Sequence, residues 1–268
     1  MPILNNWIKM TEDILLTQID ARGVATLTLN RPSVHNAFND DLIAQIADAF
    51  TKLGADPKVR VIILTGNGKS FCAGADLNWM NAMVGLSEAE NVADATRLSD
   101  MFYKIYSCPK PTIAKVQGAA LAGGVGLISV CDMAISVENA KFGITEVKLG
   151  VIPANIALYL LPRIGIKAMQ YYGMTGLIFT AFEALKINLI DEVTSVDGLD
   201  RSITTIVNAL LAAAPQAVTE CKKLIQYLAG GALINENRLE TAKWLARVRI
   251  SDEAQGLMNA FLKNRSAS

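Results

Sequence analysis

Histidine is almost missing from this 268-residue chain, which has only His35. A Ser-His-Asp hydrolase or a multi-histidine metal site would have to be built around that one side chain. It falls in RPSVHNAFND, a Pro-, Ser- and Asn-rich loop ahead of a helix, where it reads as an ordinary loop residue. Excess charge is missing too. Lys plus Arg and Asp plus Glu both total 25, so there is no basic field to hold nucleic acid. Nor is there a Lys/Arg cluster suited to a membrane surface or a polyphosphate. No uninterrupted apolar run reaches the roughly eighteen residues of a membrane span. Cys72, Cys108, Cys131 and Cys221 are scattered, with no C-x-x-C pair and no metal-ligand spacing. They read as buried thiols of a reducing compartment, so no metal and a cytoplasmic location are expected. The opening MPILNNWIKM has no basic region before a long apolar run, and no arginine precedes Arg22. It reads as neither a signal peptide nor a mitochondrial leader.

What is present is apolar and alternating. Apolar residues make up 51% of the chain, enough for one large domain or a domain with an appendage. Residues 13–19 and 23–30 read as strands joined by a turn at Asp20–Gly23. Phe38, Leu42, Ile46, Ala49 and Leu53 recur at helical spacing behind Asn39, Asp40 and Asp41, with Gly54 as the stop. Residues 59–65, VRVIILT, suit a strand covered on both faces. Ser87 and Glu90 form a capping box that opens a helix, ended by Cys108-Pro-Lys-Pro111. Residues 112–117 and 132–137 are further strands, and strands interleaved with helices make the class α/β. From about residue 198 strand signals vanish, and helices are read near 198–213, 216–229, 236–250 and 252–264. The division expected is an α/β core over 1–197 and a helical oligomerisation region over 198–268.

Two Gly/Ala-rich turns carry the chemistry: SFCAGADLNWM at 70–80 and QGAALAGGVGL at 117–127. Each follows a strand and precedes a helical stretch. Small residues let a ligand approach the backbone, and a helix start adds unpaired N–H donors and a positive dipole end. Two such turns converging on one point would make an oxyanion hole from main-chain donors alone. Either turn alone reads rather as a merely tight connection. A phosphate cradle lacks its G-K-[ST] and its G-x-G-x-x-G.

The pair, with KPTIAKVQGAALAGGVGLISVCDMAIS running on to AKFGITEVKLGVIP, resembles the signature run of the crotonase (enoyl-CoA hydratase/isomerase) superfamily. LNRPSVHNAF upstream and EAQGLMNAFLKNR at the end resemble it in the same order, so the likeness spans about residues 12–264. The resemblance implies a spiral of ββα units, a C-terminal helical domain, and trimers that often pair into hexamers. It implies an acyl-CoA substrate, with coenzyme A part of the substrate and no separate cofactor. By motif, the two oxyanion donors fall on the amides of Ala75 and Gly123, and the proton-transfer carboxylate on Glu146. Coenzyme A contacts fall on Val34, Ala37, Ala73, Asp76 and Leu77, and on Phe261 and Lys263 of the last helix, from this chain or a neighbouring subunit. Asn155 is a candidate for orienting a water, whereas Asp132, opening a strand, reads as structural.

Two departures shape the expected reaction. Hydratases of this kind carry a second glutamate three residues after the second oxyanion glycine, and here Gly126 stands there. The chain also reads IPANIAL where a glycine-rich IPGAGG is common. This wording looks most like hydratases of methyl-branched substrates, of the methylglutaconyl-CoA and carboxygeranoyl-CoA type, from leucine and isoprenoid breakdown. The expected activity is hydration of an enoyl-CoA. The alternatives are double-bond isomerisation, for which one base suffices, and a non-catalytic acyl-CoA-binding scaffold. The apolar surroundings of Glu146 predict a raised carboxyl pKa.

Overall fold

The computed structural model describes residues 13–266, so the opening MPILNNWIKM lies outside the described residues. β1 (Leu15–Ile19) and β2 (Val24–Leu29) pair antiparallel. Their turn is tied by Asp20, whose Oδ1 accepts from the amides of Arg22 and Val24 at 2.9 and 3.0 Å. α1 (Asp40–Ala55) starts at Asn39, whose side chain accepts from Leu42 N at 2.9 Å. It buries Leu42, Ile43, Ile46, Phe50 and Leu53. Gly54 does not stop it: the helix runs one residue further, and Gly54 is buried inside it. Close approach of Pro109 explains that glycine, since a Cβ there would lie 3.2 Å from Pro109 Cδ.

The chain then repeats one unit. β3 (Val61–Gly66), buried throughout, lies between parallel neighbours in a first sheet. β4 (Ser70–Cys72) crosses to a second sheet, and α2 (Leu77–Met83) and α3 (Glu88–Tyr106) follow. β5 (Thr112–Val116) returns to the first sheet, β6 (Ala119–Leu121) goes to the second, and α4 (Gly123–Val130) follows. β7 (Met133–Val137), β8 (Lys141–Gly143), a 3₁₀ turn at Glu146–Leu149 and α5 (Ala154–Thr175) complete the third round. β9 (Ile178–Thr180), α6 (Ala181–Lys186) and β10 (Glu192–Thr194) close the set. The sheets run β1-β2-β3-β5-β7-β10 and β4-β6-β8-β9. This is the mixed α/β, crotonase-like spiral that the resemblance implies. In the second sheet β4, β6 and β8 are parallel, so their C-terminal turns emerge side by side.

Helices alone follow: α7 (Leu199–Ala212), α8 (Pro215–Leu228), α9 (Gly231–Arg249) and α10 (Asp252–Ser266). They are not a body apart, because Leu199, Ile203 and Val207 of α7 and Ala254 and Met258 of α10 belong to the main core. On α9, Ala242 and Leu245 pack with Ala95 and Ala154. Lys222 of α8 reaches Asp132 at 2.7 Å, and Asp132 also accepts from Thr112 N at 2.8 Å, which makes it a strut between helix and sheet. α10 lies on the turn that carries Glu146: a Cβ on Gly150 would come within 2.8 Å of Ala254 Cα. One expectation is corrected. Cys72, Cys108 and Cys131 are buried, but Cys221 is exposed on α8, whose face it shares with solvent rather than with the core. Among the described residues no single helix is long and apolar enough to cross a membrane.

Candidate active site

A cavity of about 860 Å³ lies where the second sheet's turns meet α3, α5, α9 and α10. Ala73, Ala75, Ala122 and Gly123 line it from the two Gly/Ala-rich turns. The local backbone explains why Ala75 can offer its amide. Phe38 N donates to Gly74 O at 2.7 Å, and Asp76 N donates to Phe38 O at 2.8 Å. This one-residue parallel bridge between Phe38 and Ala75 turns Ala75's own N–H to the opposite side. Gly123 is the first residue of α4, so its N–H has no carbonyl one turn back to serve. Ala122 before it takes φ +47° and ψ −118°, a conformation rare for a residue with a side chain, and so sets the peptide plane that carries that N–H. The two turns touch: a Cβ on Gly74 would lie 3.6 Å from Gly123 N.

Glu146 opens the 3₁₀ turn and lines the same cavity. Although the residue as a whole is half-buried, its Oε2 is buried and has no hydrogen-bond partner among the described residues. Burial pushes its carboxyl up to about 7, and its own backbone N–H offsets only part of that rise. Asn155, in the first turn of α5, also lines the cavity. Its Nδ2 donates to Ala95 O at 2.9 Å, which fixes the amide, and its Oδ1 is buried with no hydrogen-bond partner among the described residues. One cavity thus holds two buried oxygens without a hydrogen-bond partner among the described residues and is lined by both Gly/Ala-rich turns.

Of the remaining expected contact residues, Val34, Ala37, Asp76, Leu77 and Phe261 line the cavity, Phe261 from this same chain. Lys263 is exposed and is not part of the wall. Asp76 has a structural duty as well. It caps α2 through Asn78 N at 2.8 Å and pairs with Arg31 at 2.8 Å, with only 4% of its side chain exposed. Arg31 also donates to Ala37 O, so that with its Asp76 pair it clamps the early loop to the first Gly/Ala-rich turn. That loop is further held by fully buried Asn36, whose Nδ2 donates to Asn67 O and Ser70 O at 2.9 and 2.8 Å. His35 sits on this loop at the cavity edge, 3.0 Å from Ser70 Oγ through Nδ1. Sequence reasoning did not single out Arg31, nor the buried α2 face of Trp79, Met80 and Met83, nor Arg249, all but Arg31 in the cavity wall. The helical spacing of the α2 residues was the one available signal.

At Gly126 the missing carboxylate is matched by missing space. A Cβ there would meet Ile156 Cγ2 at 2.3 Å and Phe102 Cζ at 2.9 Å. Gly126→Glu is therefore expected to overpack the core and lower stability by about 1–3 kcal/mol, read as a drop in thermal midpoint. Trimming the obstruction with Ile156→Ala in the same chain should recover part of that loss. An unchanged midpoint in the single variant would show that the two side chains give way freely.

The fold and site define an α/β protein of stacked strand-strand-helix units whose two Gly/Ala-rich turns line one cavity together with a buried carboxylate oxygen that has no hydrogen-bond partner among the described residues. Residues 20–267 match the family model described as enoyl-CoA hydratase/isomerase. The chain is 33% identical over 261 residues to crotonyl-CoA hydratase of Syntrophomonas wolfei, covering 96% of this chain and 97% of that one. It is 33% identical over 269 residues to a peroxisomal Δ(3,5)-Δ(2,4)-dienoyl-CoA isomerase of Arabidopsis thaliana, covering 95% of both. The solved structure of an enoyl-CoA hydratase from Shewanella pealeana superposes with a TM-score of 0.78 at 37% identity, covering 94% of each chain. The chain belongs to the enoyl-CoA hydratase/isomerase family.

Proposed function

We propose that this protein hydrates an α,β-unsaturated, methyl-branched enoyl-CoA, binding the thioester carbonyl on the amides of Ala75 and Gly123 and moving protons with Glu146. The observation that carries the reading is the buried, unpartnered Glu146 Oε2 in the cavity that both turns line. Glu146 as carboxylate takes a proton from a water whose oxygen bonds to Cβ. The Cα–Cβ π electrons move toward the thioester, leaving an enolate oxygen for the two N–H groups to stabilise. Glu146 then returns that proton to Cα, so water has been added across the double bond and the carboxylate is restored. Asn155 Oδ1, fixed by its bond to Ala95, accepts the water's other hydrogen and aims its lone pair. Val34, Ala37, Ala73, Asp76, Leu77 and Phe261 are read as coenzyme A contacts. No separate cofactor is required by this chemistry.

A second reading has a specific observation in its favour. Ile156 and Phe102 fill the space beside Gly126, leaving Glu146 without a partner acid there. One base suffices for an isomerase that removes a proton from one carbon and returns it to another. A panel of straight and methyl-branched enoyl-CoA thioesters separates the two, followed by loss of conjugated absorbance and by product mass. A gain of one water supports hydration; product of unchanged mass overturns it in favour of isomerisation.

We also read the protein as a cytoplasmic homo-oligomer, a trimer or a dimer of trimers. Large apolar side chains exposed on α5, α6 and α8 support this, among them Met174 at 74%, Phe182 at 60% and Tyr227 at 77%. Sedimentation at micromolar concentration should give a trimer or hexamer, and a clean monomer would contradict it.

A further inference from the structure

The helix that begins at Gly123 has little of its own to hold it in place. α4 reads GGVGLISV, with glycine at three of its first four positions, and it is too short to stand alone. Its one polar side chain, Ser129, turns back to Gly126 O at 2.7 Å. Gly124 to Val130 are buried, so apolar packing and the peptide groups at the two ends fix the helix. At the start, Ala122 N donates to Gly143 O at 2.8 Å.

At the far end the carbonyls meet a cation. Arg163 of α5 has only 14% of its side chain exposed. Its Nη1 donates to Ile128 O at 3.2 Å and to Cys131 O at 2.6 Å. These lie in the closing turn, where an α-helix leaves acceptors over. Pro162 precedes Arg163, and α5 is kinked at Gly165, so the arginine sits where its own helix bends. The other charges near this end are matched. Asp132 is paired with Lys222 at 2.7 Å. Asp191 lies 3.6 Å from Arg163 Nη2, but it is 51% exposed and its Oδ2 also accepts from Ala134 N at 2.6 Å. Water screens that pair. A cation on the last carbonyls offsets the negative end of the helix dipole. The positive end, about 12 Å away for a helix of this length, is the end that carries the Gly123 N–H.

We infer that Arg163 is a positioning residue for the second oxyanion donor, holding α4 by its closing turn so that the Gly123 N–H stays aimed at the thioester oxygen. The inference rests on the reading of Gly123 as that donor. Arg163 is outside the cavity lining and so acts only through α4.

The test reads the donor's effect on the carbonyl directly. Hexanoyl-CoA with carbon-13 at the thioester carbonyl is saturated, so it binds without being hydrated or isomerised. Infrared difference spectra against the unlabelled compound isolate its C=O stretch, which an oxyanion hole lowers from the value in water. The wild type should show that lowering, Gly123→Pro should lose most of it, and Arg163→Met should lose part of it. With an enoyl-CoA substrate, Arg163→Met should reduce kcat about tenfold and change KM no more than about twofold. Arg163→Lys keeps the charge and a donor, and should recover most of both effects. Should Arg163→Met fail to fold by circular dichroism, Arg163→Gln takes its place; it donates to one carbonyl without charge and should fall between Lys and wild-type loss. A folded Met or Gln variant with the wild-type stretch overturns the inference, even if its kcat falls, because the loss is then merely structural. Failure of the donor reading looks different. The wild-type stretch would equal that in water, or Gly123→Pro would leave it unmoved, and the inference would fall with the donor.

Discussion

Glu146→Gln should lower turnover of the best enoyl-CoA by roughly a hundred- to ten-thousand-fold while changing acyl-CoA affinity only a fewfold. Gln keeps the shape and one oxygen but cannot take a proton. No neighbour can substitute: Asp76 is committed to Arg31 and to the α2 cap, and the space beside Gly126 is filled. The pH dependence follows from the carboxyl standing at about 7. The base form predominates above that value, so kcat/KM for the wild type should fall about tenfold per pH unit below it. That inflection should be absent from whatever activity the Gln variant retains. Stability should move the other way. Between the ordinary carboxyl value of 4.5 and about 7, folded Glu146 holds a proton that the unfolded chain has released. Its contribution is full below the first value and is lost as pH rises through the second, by roughly 3 kcal/mol. Gln pays no such cost, so in denaturant titrations its advantage over the wild type should be larger near pH 8 than near pH 5. Near-normal turnover in the folded variant would remove Glu146 from the mechanism and direct attention to the water held by Asn155.

The long strands were legible because pattern and burial agree. β2 alternates, and β3, β5 and β7 are apolar runs, and each lies within a residue or two of its expected place. β4, β6 and β8 were not, since three residues carry no period, and β4 and β6 also lie inside the two Gly/Ala-rich stretches read as turns. α5 went unread as well. Pro162 interrupts its pattern, and the backbone breaks from helical angles at Gly165, with φ +74° and ψ +165°. α9 begins several residues before its expected start, at Gly231, where a glycine pair reads as a stop.

In the site, the motif wording singled out Ala75, Gly123 and Glu146, but the reason their positions matter is tertiary. Ala75's amide faces outward because Phe38, from a distant loop, pairs with its flanking groups. The letter G at 126 announces a lost carboxylate but not that Ile156 and Phe102 have closed the gap. Arg31 and Arg249 have no local mark that separates a cavity arginine from a surface one. Only the packing of the early loop on β4 and of α9 on α3 brings them inward.

Gly123→Pro should reduce turnover by about a hundredfold or more, the usual consequence of deleting one oxyanion donor. Proline is suited to the first position of a helix, where its missing N–H breaks no intrahelical bond. The substitution therefore removes a donor that serves no intrahelical bond. It also adds atoms, and there the structure supplies the needed control. A Cβ on Gly123 would lie 2.5 Å from Phe38 Cε2, and Phe38 is 1% exposed with its own amide bound to Gly74 O, so the ring has little freedom to swing away. Gly123→Ala meets the same obstruction and keeps the N–H. Both variants should lose stability, by about 1–3 kcal/mol for the overpacking, and both need a circular dichroism and thermal check before their kinetics are compared. The quantity of interest is the ratio between them. If the amide binds the enolate oxygen, proline should be slower than alanine by at least about tenfold, and the deficit should appear in kcat more than in KM, because the bond strengthens as charge develops on the oxygen. Equal impairment of the two folded variants would assign the whole effect to Phe38 and leave Ala75 as the lone backbone donor of this pair.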